Sequence, residues 1–143
     1  SSCELECYSI FGFRSAAECF LEDELRKLGR MTILSSDSGG LDFHGNVPAA
    51  LEAFLADTNV KALAIFSCGP EAMLKAVSSI GRRKEIPVQV SLETRMGCGI
   101  GLCRGCSVDL IDEGQESGFR RVRCCKEGPV FPAEKIIWPQ EEK

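Results

Sequence analysis

Four cysteines toward the end of the chain carry the most specific chemistry it offers. Cys98, Cys103 and Cys106 are separated by four and then two residues in the run Cys98-Gly-Ile-Gly-Leu-Cys103-Arg-Gly-Cys106. Cys125 follows in Arg123-Cys124-Cys125-Lys126-Glu127-Gly128-Pro129-Val130-Phe131. Thiolates at these intervals hold a 2Fe-2S cluster, whose work is to pass single electrons. Their softness selects iron-sulfur, zinc or copper(I) over hard cations. A loop that gathers three sulfurs must curl tightly, and Gly97, Gly99, Gly101 and Gly105 are expected to supply left-handed backbone and close approach. The same curl turns backbone N–H groups inward, toward an anionic cluster.

Adjacent side chains of an extended segment face opposite ways, so Cys124 and Cys125 cannot both point at one centre. Cys124 then shares a face with Val122 and Cys125 with Arg123. This makes Cys125 the fourth ligand, with an arginine near the cluster, and Cys124 a small buried side chain. Other chemistries explain the pattern less well. Structural zinc sites usually pair their cysteines as two short-spaced couples. A disulfide framework suits a small secreted chain, but no apolar signal segment opens this sequence and its nine cysteines are an odd number. Gly99-Ile-Gly101 begins like a dinucleotide fingerprint, yet Arg104 stands at the third glycine position and no helical pattern follows.

The remaining sequence must position these sulfurs. A chain of 143 residues, 44% hydrophobic and 27% charged, is globular in composition and long enough for one moderate domain plus a small metal-stabilised one. A net charge of -4 with scattered Lys and Arg gives no stripe for nucleic acid and no membrane patch. No apolar run approaches the roughly 18 residues that span a bilayer. Many unpaired cysteines without a targeting segment imply a reducing cytoplasm.

Apolar residues from Cys3 to Phe11 form a buried strand, ended by Gly12 and Phe13. Ser15 caps a helix over 16–28, in which Ala17, Phe20, Leu21, Leu25 and Leu28 recur at helical spacing and Gly29 closes the end. Met31 to Leu34 is a strand and 35–40 a loop. Val47 to Ala56 is helical, with Pro48 in its first turn. Val60 to Ser67 is a continuous apolar strand, buried on both faces. Cys68-Gly69-Pro70 leads into a helix from Glu71 to about Ile80, and Val88 to Leu92 is a further strand. Alternation of strand and helix implies α/β architecture, a parallel sheet covered by helices. Past Glu93 glycine and cysteine dominate: Val108 to Ile111 reads as a strand, and 112–118 as a polar turn leading to Cys125. Two domains follow, a nucleotide-type α/β domain over 1–92 and a cluster-binding domain over 93–143.

The run from Val90 through Cys106, then Cys125-Lys-Glu-Gly-Pro-Val-Phe131 and the ending Ala133-Glu-Lys-Ile-Ile-Trp138, resembles the electron-transfer subunit of NAD-dependent dihydroorotate dehydrogenase. Upstream, Gly12-Phe-Arg14-Ser15, Ser36-Asp37-Ser38-Gly39 and Cys68-Gly69-Pro70-Glu71-Ala72-Met73 resemble the pyridine-nucleotide half of the ferredoxin reductase superfamily. The resemblance implies a nucleotide-binding half of ferredoxin reductase type, followed by a small plant-ferredoxin-like 2Fe-2S domain. It implies hydride transfer from NADH to FAD, a one-electron relay through the cluster, and a partner subunit holding FMN that oxidises dihydroorotate to orotate. The complete enzyme would be a hetero-oligomer. In that family an FAD-binding β-barrel precedes the nicotinamide domain; here the barrel and the glycine-rich first strand and helix are missing, so a fragment of a longer polypeptide is expected.

Arg14 and Ser15 follow a strand at the start of a helix, where N–H groups and a cation favour a phosphate, although a capped helix with a solvated arginine reads equally from these residues alone. The resemblance puts the NAD pyrophosphate or adenosine there, beside Gly12 and Ser36. Asp37 is placed to bond a ribose hydroxyl and repel a 2'-phosphate, or else to serve as a turn residue; with no arginine beside it, NAD is favoured over NADP. Cys68, Gly69 and Pro70 end a strand at the carboxyl edge, where open α/β sheets bind ligands. The resemblance sets them beside the nicotinamide and flavin rings, with Met73 on the next helix; as sequence alone, Cys68 and Met73 read as core. His44, the only histidine, lies in a polar loop and receives no role. Rival readings are a diaphorase-like subunit of a cytoplasmic hydrogenase, sulfite reductase or transhydrogenase, and a zinc-stabilised binding module without redox chemistry.

Overall fold

A computed structural model describes residues 6–57 and 64–139. Its contacts divide the chain into two compact units, 1–60 and 61–143. The first unit is built on three parallel strands, β1 (Tyr8–Phe13), β2 (Met31–Ser36) and the short β3 (Phe43–His44), in that spatial order. Gly12 lies opposite Ser35 and Phe13 opposite Ser36, so both long strands end level with each other. Leu34, Ser35 and Ser36 are fully buried, and the Ser35 hydroxyl donates to the Phe11 carbonyl at 3.1 Å.

Helix α2 (Val47–Asp57) covers this sheet. Asn46 starts it by accepting the Ala49 N–H on its side-chain oxygen at 3.0 Å, which satisfies one of the helix's orphan donors. Ala50, Leu51 and Phe54 form its buried face, and the Phe54 ring meets that of Tyr8 at 5.2 Å between centroids. Gly12 has a packing reason to lack a side chain, because a Cβ there would run into the Val47 methyl.

The helix expected over 16–28 is not formed. A three-residue 3-10 turn (Ala16–Glu18) is followed by a single helical turn, α1 (Glu22–Leu25). Leu21 interrupts them in the left-handed region at φ 55°. The apolar positions that suggested a helix are uncovered: Phe20 is 69% and Leu21 60% exposed. Helical periodicity stabilises only when its apolar face is buried, and this face finds no cover. Arg26 instead ties the segment to the loop after β2, its two terminal nitrogens donating to Asp42 at 2.9 and 3.0 Å.

The second unit contains two β-sheets. β4 (Ile65–Cys68) pairs in parallel with β5 (Val88–Ser91), and β8 (Val130–Pro132) joins β5 from the other side in antiparallel. Among the described strands of this sheet β4 lies at one end, and Phe66 is 74% exposed. Residues 60–63 of the expected strand, and Cys3 to Leu5 of the first one, lie outside the described residues. Helix α3 (Glu71–Arg83) presents Leu74, Val77 and Ile80 to the core at helical spacing, with Arg82 and Arg83 in the last turn, where cations suit the helix dipole. The other sheet pairs β6 (Ser107–Ile111) with β7 (Phe119–Arg123) in antiparallel, followed directly by the helical turn α4 (Cys124–Glu127).

Leu110, Val122, Phe131, Ala133 and Ile136 close the core between these sheets. β8 returns from beyond Cys125 to pair with β5, so segments on both sides of Leu92 share one sheet in the second unit.

Candidate metal centre

The loop from Gly97 to Cys106 has no regular structure; backbone N–H groups aimed at sulfur brace its thiols. The N–H groups of Leu102 and Cys103 donate to Cys98 Sγ at 3.3 and 3.4 Å, and that of Gly105 donates to Cys103 Sγ at 3.4 Å. The backbone of Cys103, then of Ile100 and Leu102, together with the Cys103 thiol, draws the Cys98 thiol down to about 6. Gly99 and Gly101 take the left-handed backbone that this curl needs, at φ 69° and 83°. Gly97 and Gly105 do not; Arg104 adopts φ 59° in their stead. Gly97 matters for space, since a Cβ on it would stand 3.2 Å from Cys103 Sγ.

Cys106 and Cys125 meet where β6 and β7 begin and end. The Cys124 N–H donates to the Cys106 carbonyl at 2.9 Å, extending the ladder by one step, and the Cys125 N–H then reaches Cys106 Sγ at 3.5 Å. The Cys125 backbone and thiol hold the Cys106 thiol below its ordinary range, while the thiol-to-thiol bond pushes Cys125 upward. One thiol of each pair is thus biased toward the thiolate that a metal requires.

Cys124 and Cys125 differ in burial for a reason other than strand alternation. These residues open a helical turn instead of continuing a strand. Cys124 is fully buried, with its Sγ donating to the Leu92 carbonyl at 3.6 Å, while Cys125 is only partly covered. Gly128 closes the turn: a Cβ there would stand 2.5 Å from the Phe131 ring and 2.9 Å from the Cys124 carbonyl.

The four thiols form two couples, Cys98 with Cys103 and Cys106 with Cys125, and the charges of Cys98 and Cys125 act on each other across them. Among the described residues no three His, Cys, Asp or Glu side chains gather closely enough to hold one metal ion. A two-iron core takes two protein ligands on each iron, which two couples can supply. The donor set and its N–H cradle fit that core. Ile100 and Leu102, 71% and 77% exposed, rim the loop with apolar surface.

In the second unit a cavity of about 500 Å3 lies beside the end of β4, lined among others by Gly69, Pro70, Leu92, Thr94, Asp109 and Trp138. Met73 folds back over Gly69, its methyl 2.7 Å from where a Cβ would be. Cys68 is exposed at the strand end. The Thr94 hydroxyl is buried in the cavity wall, with no hydrogen-bond partner among the described residues. Thr94 and Trp138 fall within the runs that carry the family resemblance, and the cavity they line sets them beside Gly69 and Pro70.

In the first unit, Gly12, Arg14 and Ser15 at the end of β1 stand beside Ser36 and Asp37 at the end of β2. Arg14 and Asp37 are exposed. The N–H groups of Asp37 and Ser38 donate to the carbonyls of Phe13 and Arg14, both at 3.1 Å, so that edge is closed by its own backbone. Ser15 makes no cap, its hydroxyl lying 3.4 Å from Glu18. With only a short turn following, the helix N-terminus expected to attract a phosphate is absent here, and Arg14 is left as the cation. His44 Nε2 lies 3.2 Å from the Asp37 carbonyl, a bracing contact for the loop.

Residues 93–137 match a family model described as the iron-sulfur cluster binding domain of dihydroorotate dehydrogenase B. The chain is 33% identical over 136 residues to the dihydroorotate dehydrogenase B (NAD(+)) electron transfer subunit of Desulforamulus reducens, covering 95% of this chain and 49% of that protein. It is 37% identical over 137 residues to the probable subunit of the same name from Methanocaldococcus jannaschii, covering 96% and 49%. With that of Listeria welshimeri it shares 38% over 127 residues, covering 89% and 46%. The chain spans about half the length of these relatives. A chain in a solved structure of an NADH-dependent reduced ferredoxin-NADP oxidoreductase superposes with a TM-score of 0.71 at 22% identity, over 92% of this chain and 44% of that one. That likeness is one of fold, α/β of the ferredoxin reductase type. No helix among the described residues is long and apolar enough to cross a membrane. Along nearly all of its length the chain is therefore similar to about half of a dihydroorotate dehydrogenase B electron transfer subunit, and residues 93–137 match the model of that enzyme's iron-sulfur cluster binding domain.

Proposed function

We propose that this chain is the NAD-binding and 2Fe-2S portion of a flavoprotein electron-transfer subunit, relaying electrons between NAD(H), FAD and the cluster for dihydroorotate oxidation in pyrimidine biosynthesis. The observation that carries this reading is the pairing of thiols, Cys98 with Cys103 and Cys106 with Cys125, each pair braced by backbone N–H groups. Similarity to proteins named electron transfer subunits supports the choice of reaction. Residues 93–143 form the plant-ferredoxin-like cluster portion and 1–92 the nucleotide portion. A cluster held there accepts and returns one electron at a time.

The chain's own residues bind and orient. Cys98, Cys103, Cys106 and Cys125 are the ligands, and the N–H groups around them stabilise charge on sulfur. Arg14 offers a cation to the NAD pyrophosphate, with Gly12, Ser15 and Ser36 around it, and Asp37 takes a ribose hydroxyl. Cys68, Gly69, Pro70 and Met73 attend the nicotinamide, with Thr94 supplying a hydroxyl from the cavity wall. Hydride passage to FAD needs no general acid or base. The apolar rim of Ile100 and Leu102 suits docking by an FMN-containing catalytic subunit in a cytoplasmic hetero-oligomer.

Metal and spectroscopic analysis of anaerobically purified chain tests the reading. The expected result is about two iron and two sulfide per chain, with visible absorbance and a paramagnetic resonance signal after dithionite reduction. A colourless protein carrying one zinc would overturn it.

A further inference from the structure

The loop bearing three of the cysteines and the turn bearing the fourth are distant in sequence, and one side chain joins them. Arg123, the last residue of β7, donates through Nη1 to the Gly101 carbonyl at 2.9 Å. Its Nη2 donates to Glu127 Oε1 at 2.7 Å, while Glu127 Oε2 accepts the Arg123 backbone N–H at 2.8 Å and Nε at 3.4 Å. The carboxylate therefore holds both ends of the arginine. Side-chain exposures of 29% and 33% set the pair partly out of water. Gly101 lies between Cys98 and Cys103 in the loop, so the arginine at the root of the Cys124–Glu127 turn grips the segment that carries those two thiols.

We propose that Arg123, locked by Glu127, is a positioning residue that fixes Gly101 in the loop between Cys98 and Cys103 and thereby governs how long the cluster is retained, while the charges of the pair set the potential at which it is reduced. This rests on the cluster reading above. The guanidinium suits the task because its planar fork engages a carbonyl and a carboxylate at once, which a lysine ammonium on a flexible stem cannot do in fixed geometry. Partners of this outer kind, which orient ligands without touching metal, typically contribute 10- to 100-fold in metal affinity.

The test uses the full chain reconstituted anaerobically with iron and sulfide, as wild type and as Arg123→Gln, Arg123→Lys and Glu127→Gln. Iron and sulfide content, decay of the visible spectrum in air, and the midpoint potential are read. Circular dichroism of the unloaded chains checks folding. All three variants should lose the cluster about tenfold faster than wild type. Potentials should separate charge from position: Arg123→Gln removes a cation beside an anionic centre and lowers the potential, Glu127→Gln removes an anion and raises it, and Arg123→Lys stays near wild type. Wild-type lifetimes in folded Arg123→Gln and Arg123→Lys would overturn the clamp, as would opposite potential shifts without any change in lifetime. If the arginine variants fail to fold, Glu127→Gln alone decides by its lifetime. Wild type taking up no iron and sulfide would refute the cluster reading itself, and the clamp with it.

Discussion

The Gly97 to Cys106 loop and the paired ends of β1 and β2 handle their backbone amides in opposite ways. In the loop, N–H groups of Leu102, Cys103 and Gly105 point at side-chain sulfur. At the strand ends, those of Asp37, Ser38 and Gly39 are consumed by neighbouring carbonyls. The first arrangement leaves its amides facing side chains that can ligate. The second holds its own shape and offers a ligand chiefly side chains, Arg14 and Asp37 foremost. Soft ligation concentrates its needs in a few residue types at fixed intervals, whereas a nucleotide edge depends on where strands stop and which turn follows.

The comparison breaks most visibly at Cys103. Cys103→Ser replaces a soft thiolate by a hard oxygen, and the chromophore should be almost wholly lost. Cys124→Ser should keep it, because that side chain faces Leu92 rather than the other thiols. Loss of colour in Cys124→Ser but not in Cys125→Ser, read by visible absorbance and iron content, would exchange the two roles. Next in size is Gly12→Ala, whose added methyl meets Val47 and should destabilise the first unit by about 1–3 kcal/mol in urea unfolding. Unchanged stability with weakened nucleotide binding would instead show that this glycine serves a ligand.

Arg14→Ala should weaken NADH binding by about tenfold, the worth of one hydrogen bond to a charged group, measured by titration calorimetry. Equal affinity in that variant would remove the first unit's edge from the site. The smallest effect concerns acid. The hydrogen bond from Arg26, aided by the Leu34 N–H, holds the Asp42 carboxyl below its usual range. Its contribution is then fully present above the ordinary aspartate value of about 4 and fades as pH falls through the depressed folded value. Because the pair is well exposed, a few tenths of a kcal/mol are at stake. Asp42→Asn should flatten that part of the stability curve below about pH 4.

The same contrast explains how much of the molecule is legible in the chain alone. Helices α2 and α3 and strands β2, β5 and β6 follow from apolar spacing, with Asn46 capping α2 just before it begins. The segment 16–28 has equally good spacing and forms no such helix, since periodicity records which face would be apolar but not whether anything covers it. β8 escapes a sequence reading because three residues beside a proline carry little pattern, and its pairing with β5 is set by tertiary structure. Alternation along a strand separates Cys125 from Cys124 in the sequence, yet alternation does not apply in a helical turn. The buried Thr94 hydroxyl is illegible, since its significance lies in a cavity whose walls come from four separate stretches of sequence.

The return of β8 onto β5 has a mechanical consequence. Segments before Glu93 and after Cys125 share one ladder, with Val90 opposite Phe131 and Ser91 opposite Val130, and Leu92 adds a further N–H to the Pro129 carbonyl at 3.0 Å. Swinging the thiol-bearing loop away from β4 and α3 as a hinged lobe would tear that ladder open. A protease nick near Arg95 would leave two peptides still gripping one another through that ladder.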